Sequence, residues 1–430
     1  MITTAYVNIW NKRVGAIAWD ANMGVGSFEY EPSFLANNWE LSPLKMPIDG
    51  SRRRVFSFPE LRNTTTFKGL PGLLADVLPD KYGNSLINAW LASNGRPADS
   101  MNPVELLCFI GSRGMGALEF EPILPKVNSA ATKIELNSLI LIAQEILSGR
   151  QQFKTKLSAD EAKALSDVLK IGTSAGGARA KAVIAFNSET NEIRSGQAKA
   201  PKGFAHWLIK FDGITDKQLG TTTGYGRVEM AYYLMAKAAE IEMTECRLLE
   251  ENERAHFMTK RFDRAHENER LHVQSFCAIA HYDFNEITSY SYEQLFETMR
   301  SMLLPYTDAE QLYRRMVFNV MARNCDDHTK NFSFIMDKIG QWKLAPAFDV
   351  CHSYSPGSTW VSQHSMSING KRQDITRHDL LVVAQKMNIK RADAIINQVR
   401  DAVSKWDKFA DQTAVAEDLK LAIAKTLWLL

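Results

Sequence analysis

An aspartate, an asparagine five positions later and a second aspartate further on are the groups that phosphoryl transfer needs. One carboxylate faces the substrate hydroxyl, and two oxygen ligands hold magnesium against nucleotide phosphates. The run Asn324-Cys325-Asp326-Asp327-His328-Thr329-Lys330-Asn331, with Asp349 in Pro346-Ala347-Phe348-Asp349 eighteen positions beyond Asn331, has those groups in that order. Asp326 lies five before Asn331 and Asp327 only four, so the interval selects Asp326 as the base or substrate-orienting residue. Asn331 and Asp349 are then the expected magnesium ligands. His328 reads as an ordering residue, since no second histidine stands at zinc-like spacing and magnesium prefers oxygen. Without its order and apolar flanks, the same run would read as a polar surface turn.

Three earlier segments complete the chemistry in chain order. Gly172-Thr173-Ser174-Ala175-Gly176-Gly177-Ala178-Arg179-Ala180-Lys181 lacks bulky side chains, which lets backbone N–H groups approach phosphate oxygens. It is neither a Walker A sequence nor G-x-G-x-x-G, and alone it reads as a connector, so its value is positional. Lys210, at the end of Trp207-Leu208-Ile209, is placed to reach α/β phosphates, with Glu229 on the next helix as its ion-pair partner. Phe257 to Arg264 is an apolar strand that turns basic, the expected hinge offering backbone groups to an adenine edge.

The elements that must position these groups follow from periodicity. Leu312, Met316, Val320 and Met321 give one helix an apolar face that ends just before Asn324, and Thr307-Asp308-Ala309-Glu310 is its expected cap. Phe332 to Met336 and Trp342 to Pro346 read as a β-hairpin that returns Asp349 beside Asn331. Upstream, Tyr6 to Trp10, Val14 to Trp19 and Ser27 to Tyr30 form an expected antiparallel meander. Helical spacing follows over Gly69 to Ala92 with a break at Pro79-Asp80, then over Pro103 to Ile110, and a strand at Ala117 to Phe120. A capped helix is expected at Ser158 to Leu169, strands at Ala180 to Phe186 and His206 to Lys210, and a helix at Val228 to Ile241. The expected domains are 1–125 (α+β), 126–264 (glycine-rich loop and strands) and 265–430 (mainly helical).

Composition sets outer bounds. A chain of 430 residues, 45% hydrophobic, can bury two or three cores. With 51 Lys plus Arg against 49 Asp plus Glu, the formal charge is +2, so no global basic field argues for nucleic acid. Basic clusters at Ser51-Arg52-Arg53-Arg54 and at Lys390-Arg391 read as solvated faces. The five cysteines form no Cys-x-x-Cys pair, which fits a reducing, cytoplasmic setting. Redox control through Cys325 and Cys351 is a secondary idea beside free structural thiols. No leader-like or membrane-spanning run is read at the start or in the most apolar stretches.

Taken together these motifs resemble the HipA family of serine/threonine kinases, the toxins of bacterial toxin–antitoxin pairs. The similarity runs through the Val7 to Phe28 meander, Leu78-Pro79-Asp80, Ile110-Gly111 with Gly114 to Ala117, Ser174 to Lys181, Ile209-Lys210, Arg261-Phe262-Asp263-Arg264, Asp326 to Phe334 and Leu344 to Asp349. The resemblance implies an α+β, two-lobed protein-kinase-like fold with a β-rich amino-terminal subdomain. It implies ATP and Mg2+ as cofactors, a helix-turn-helix antitoxin of the HipB kind, operator DNA bound through that complex, and a protein substrate, glutamyl-tRNA synthetase being one family target. By position, Gly176, Gly177, Ala178, Arg179, Ala180 and Lys181 would contact ATP phosphates, and Lys210 the α/β phosphates. Lys260, Arg261 and Phe262 would meet adenine. Asp326 would accept the proton, His328, Lys330 and Asn331 would line the phosphate side, Phe348 would adjoin the nucleotide, and Asp349 would bind magnesium. Ser174 would be the autophosphorylation site, where an added charge of about −1.5 to −2 expels the loop from phosphate. Lys390 and Arg391 would touch operator phosphates. Two other readings stay open: a small-molecule kinase, and a DNA-bound co-repressor scaffold.

Overall fold

In the computed structural model, the alternating residues of the amino end form a sheet with one buried face. Strand β1 (Thr4–Ile9) buries Ala5, Val7 and Ile9 while Thr4 and Tyr6 face outward. β2 (Lys12–Asp20) and β3 (Val25–Tyr30) continue it as the expected antiparallel meander. β4 (Val55–Phe56) pairs with β3, and β5 (Leu118–Glu121) pairs antiparallel with β1, giving the order β4-β3-β2-β1-β5. Between them lie α1 (Gly72–Ala75), α2 (Lys81–Ser93) and α3 (Pro103–Ile110). The break at Pro79-Asp80 is the start of α2, where the Asp80 side chain caps the Gly83 N–H at 2.6 Å. The apolar α3 is buried throughout and packs on β1, β2 and β5.

The structure describes residues 2–37, 39–48, 54–124, 140, 143–144, 179–196, 199–216, 220–221, 223–265 and 268–430. They fall into two units: Met1–Asn38, Ile48–Gly226 and Arg247–His272 in the first, Trp39–Pro47, Arg227–Cys246 and Val273–Leu430 in the second. The helix expected at Ser158 to Leu169 lies outside the described residues.

The first unit holds a second five-stranded sheet, ordered β11-β12-β8-β6-β7. Its strands are β6 (Lys181–Phe186), β7 (Ile193–Ser195), β8 (Ala205–Lys210), β11 (Cys246–Glu251) and β12 (Arg254–Lys260). A short ribbon of β9 (Thr215–Asp216) and β10 (Gly220–Thr221) stands apart. β6 is buried at every position, and after Lys181 its residues Ala182 to Phe186 form a continuous apolar run. Antiparallel register sets Lys181 opposite Lys210, and Lys210 opposite Phe257.

Helices dominate the second unit. They are α4 (Tyr225–Ala238, entered from the first unit), α5 (Phe276–Ala280), α6 (Tyr292–Ser301), α7 (Tyr306–Met321), α8 (Arg377–Met387), α9 (Ala392–Val403), α10 (Trp406–Gln412) and α11 (Glu417–Ala424). A three-stranded sheet, β13 (His272–Ser275), β14 (Ser333–Met336) and β15 (Trp342–Leu344), accompanies them. The expected face of α7, Leu312, Met316, Val320 and Met321, is buried, and α9 packs on that helix through a stripe of Ile395, Ile396, Val399 and Val403.

Two boundaries differ from expectation. α4 runs three residues earlier than Val228 to Ile241, because Gly224 takes φ 83° and the buried Asp212 accepts the Gly226 N–H, which sets the start. At its end Glu240 turns left-handed at φ 57° and the Ile241 N–H returns to the Ala236 carbonyl at 3.0 Å. α7 starts at Tyr306, not at a Thr307 cap: Pro305 stands at its N-cap in extended backbone, φ −67° and ψ 156°, and no side chain caps the first turn. Asp308, freed from capping, accepts the Leu344 N–H at 2.7 Å and pins the hairpin instead. Mixed α and β structure with antiparallel sheets agrees with the expected α+β class.

Candidate active site

The loop after α7 is held from both sides. Arg323 turns left-handed at φ 55°, the Asn324 N–H closes on the Asn319 carbonyl at 3.0 Å, and Cys325 and Ser353 donate their backbone N–H groups to the Ser353 and Arg323 carbonyls. The two adjacent aspartates then separate. Asp327 is buried: Oδ2 accepts the Tyr292 hydroxyl at 2.8 Å and meets His364 Nδ1 at 2.8 Å, while Oδ1 takes the Ser365 N–H at 2.7 Å. Asn319 Nδ2 donates to the Tyr292 oxygen and Asn324 Nδ2 to Asn319 Oδ1, extending one buried network. Burial lowers the His364 pKa, but the Asp327 carboxylate outweighs it and lifts the value to about 10. Burial, then Asp327, pushes the Tyr292 hydroxyl well above its usual range.

Asp326, by contrast, keeps 45% of its side chain exposed, with His328 Nε2 3.7 Å from its Oδ1. His328 tilts against Phe284, and the Lys330 ammonium lies 5.6 Å from the centre of the same ring. A single 3₁₀ turn, Thr329–Asn331, follows, anchored by the Thr329 hydroxyl on the Tyr282 carbonyl at 2.8 Å. Asn331 Nδ2 donates to the Asp326 carbonyl at 2.6 Å, which leaves its Oδ1 as the acceptor available to a cation.

The expected hairpin forms, pairing Phe334 with Leu344 and Met336 with Trp342. It brings the chain back to Ala347, whose N–H meets the Glu242 carbonyl at 2.7 Å, and then to Phe348 and Asp349. Asp349 sits at φ 56°, a left-handed backbone that costs a non-glycine residue about 1 kcal/mol. Asn331, Phe348 and Asp349 line one cavity with Asp327, Asn319 and Arg315. The Arg315 guanidinium is buried there, its pKa lowered to about 10 by desolvation, with Nε and Nη2 lacking hydrogen-bond partners among the described residues. Among the described residues no group of three or more His, Cys, Asp or Glu is poised on a metal. A pair of oxygen ligands, Asn331 and Asp349, fits magnesium, which takes few protein ligands and completes its shell with water and phosphate.

The first unit carries the other expected residues. Arg179 lies over Tyr225 at 4.8 Å, and the Ala180 carbonyl accepts the Phe211 N–H at 3.0 Å. Lys181 is buried, with its ammonium 3.2 Å from Asp80 Oδ2. The Lys210 ammonium is 5.8 Å from the Phe257 ring centre. Lys260 is exposed and Phe262 half-buried, but Arg261 is buried and its Nε and Nη2 grip Asp263 at 2.8 and 2.6 Å. Asp263 also takes Arg264 Nη1 at 2.6 Å and the Gly116 N–H at 2.7 Å. Burial alone would raise the Asp263 pKa; the two guanidinium groups hold it far below the carboxylate range. Glu229 is buried on α4, in the second unit. Lys390 and Arg391 are exposed at the start of α9, with the Lys390 N–H on the Tyr306 hydroxyl at 2.9 Å. Ser174, Gly176, Gly177 and Ala178 lie outside the described residues. All five cysteines are free and buried, and Cys325 Sγ is 3.9 Å from His364 Nε2. No helix among the described residues is long and apolar enough to cross a membrane.

Sequence reasoning missed Tyr292, Arg315, Asn319 and His364, which lie far from the loop they serve and carry no local motif. It also missed what the Arg261-Phe262-Asp263-Arg264 motif does with Gly114 to Gly116, although both stretches stood out.

Comparison with known proteins bears on the whole chain. A HipA N-terminal domain family matches residues 5–121, and a HipA-like C-terminal domain family matches residues 173–406. No curated protein matches the sequence. Among solved structures, a chain from the Shewanella oneidensis MR-1 complex of the toxin–antitoxin proteins HipA and HipB with operator DNA aligns at TM-score 0.66 and 16% identity, covering 98% of this chain and 94% of that one. At that identity the likeness is one of fold. The Helicobacter pylori proinflammatory kinase CtkA aligns over 51% of this chain and 92% of its own at 14% identity, with a TM-score of 0.30 that is too low to argue from.

Proposed function

This chain belongs to the HipA family, and we propose that it is an ATP- and magnesium-dependent serine/threonine protein kinase, the toxin of a toxin–antitoxin pair. The observation that carries the proposal is that Asn331 and Asp349, eighteen positions apart, line one cavity beside a loop whose two aspartates have opposite environments. Asp326, exposed and anchored through its own carbonyl by Asn331, takes the proton of the substrate hydroxyl. That oxygen then bonds to the γ-phosphorus as the bond to the ADP leaving oxygen breaks. Asn331 and Asp349 would hold magnesium, which neutralises phosphate charge when bound. Lys210 meets the α/β phosphates, the backbone of 260–262 meets adenine, and the segment around Gly176 to Ala180 covers the phosphates.

Ser174 is the proposed site of self-modification, silencing the enzyme by charge repulsion in that segment. The HipA and HipB proteins of the Shewanella complex were assembled with operator DNA. By that likeness we propose a helix-turn-helix antitoxin partner and a role for Lys390 and Arg391 at operator phosphates. The cellular substrate belongs to the protein class, with a translation factor such as glutamyl-tRNA synthetase as the first to test.

The test is incubation with labelled ATP and magnesium, read by mass spectrometry. Wild type should modify itself at Ser174, Ser174→Ala should lose that label, and Asp326→Asn should slow transfer by about 10²–10⁴-fold with an unchanged melting temperature. Normal transfer by Asp326→Asn would remove Asp326 from the mechanism.

A further inference from the structure

Arg323 stands between the end of α7 and the candidate base, three positions before Asp326. Its backbone also reaches the other half of the site. The Arg323 carbonyl accepts the Ser353 N–H and the Ser353 carbonyl accepts the Cys325 N–H, each at 3.0 Å, and Ser353 lies four positions after Asp349. A shift of Arg323 therefore disturbs the chain on both sides of the cavity. Its backbone is left-handed, φ 55°, which a residue with a Cβ adopts only at a cost, and the side chain supplies what holds it there. The guanidinium carbon lies over two rings, 4.7 Å from the centre of Tyr354 and 5.0 Å from that of Trp428, while Nε donates to the Thr426 carbonyl at 2.9 Å. Thr426 is 103 positions further along the chain, just beyond α11. The segment that carries it is fastened in its own right. Trp428 donates its backbone N–H to the Met321 carbonyl at 2.9 Å and its indole N–H to the Ile375 carbonyl at 2.8 Å, and the Thr426 hydroxyl lies 2.9 Å from His352 Nε2. It thus grips the chain before Asp326 and the chain after Asp349 at once.

We propose that Arg323 is a positioning residue, and that through it the segment Thr426 to Trp428 sets the pose of the loop bearing Asp326. The proposal rests on the kinase reading for the step it serves, whereas the clamp itself belongs to the fold of the second unit. Proton transfer needs the carboxylate within hydrogen-bond reach of the substrate hydroxyl, and rate falls steeply when that placement loosens. Releasing Arg323 therefore slows the chemical step first. An arginine suits the position because its planar group stacks on rings and donates from Nε together, which a lysine ammonium does not do.

The experiment compares wild type with Arg323→Gly, Arg323→Lys, Trp428→Ala, Trp428→Phe and the double variant Arg323→Gly/Trp428→Ala in the full chain. Arg323→Gly relieves the left-handed backbone, so what it loses is owed to the side chain. Nucleotide sites are counted by titration with magnesium and a non-hydrolysable ATP analogue, and kcat of phosphate transfer is expressed per site. Arg323→Gly, Arg323→Lys and Trp428→Ala should each lower that kcat by about tenfold, in the range of coupling between contacting groups, with KM for ATP moving by less than about threefold. Trp428→Phe, which keeps a ring over the guanidinium, should retain most of the rate, and the double variant should be no slower than the slower single one. By hydrogen exchange, the peptide spanning Arg323 to Asp327 should exchange about tenfold faster in Trp428→Ala, with the β14–β15 hairpin unchanged. A loss of sites with normal kcat at those that remain would mark a merely structural contact and overturn the proposal. Losses that multiply in the double variant overturn it too, since the two residues would then act apart. If wild type transfers no phosphate, the kinase reading fails, and exchange decides the clamp: a faster loop supports it and an unchanged loop overturns it.

Discussion

At the scale of single residues, the adjacent carboxylates Asp326 and Asp327 show how environment divides labour. Spacing alone singles out Asp326, and the surroundings of Asp327 explain why a second acid stands beside it: it ties the loop to Tyr292, 35 positions earlier, and to His364 and the Ser365 amide, 37 and 38 positions later. Asp327→Asn should therefore cost about 3–5 kcal/mol in urea unfolding by stranding a buried charge, whereas Asp326→Asn should cost almost nothing there and act on transfer. Equal stability losses would show that the two are not separated in this way. His364 adds a pH dependence of definite sign. Its folded pKa of about 10 lies above the ordinary value near 6.5, so its stabilisation is complete below about pH 6.5 and is lost as pH climbs through about 10. Wild type should thus lose stability between neutral and alkaline pH, and His364→Gln should lack that slope.

At the scale of elements, the Asp263 cluster locks the Gly116 turn to the end of β12. Asp263→Ala leaves two buried guanidinium groups facing each other and should cost about 3–5 kcal/mol in denaturant unfolding. The depressed Asp263 pKa means this contribution is full above the unfolded value near 4 and fades as pH falls below it. A variant with unchanged acid sensitivity would count against it. Elements with strong periodicity were legible in the sequence: the meander, α3 and the β14–β15 hairpin lie where alternation and helical spacing put them. Boundaries set from elsewhere were not. α7 starts at Tyr306 behind an extended Pro305 with no side-chain cap, and Asp308, read as part of a cap, is taken by Leu344 of the hairpin. Of the candidate site, the loop, its interval and its return strand were legible because they are local. The Tyr292, Asn319 and His364 supports were not, since only the fold brings them to Asp327.

At the scale of the whole molecule, a formal charge of +2 provides no general attraction to DNA, so any operator contact must be local. Lys390 and Arg391 are exposed at the start of α9. Changing both to alanine should reduce the salt slope of operator binding by the antitoxin complex by roughly 0.9 for each phosphate no longer neutralised, leaving transfer to a protein substrate intact. An unchanged slope would discard the contact. The same wide spacing of partners governs how the chain is made. Trp10 donates its indole N–H to the Arg270 carbonyl across 260 positions, and Gly116 waits 147 positions for Asp263. At elongation of about 5–20 residues per second, the first sheet leaves the ribosome roughly ten seconds to a minute before its last ties exist. During that interval it must persist on its own strand pairing, and this is when a growing chain of this kind is most open to chaperone capture.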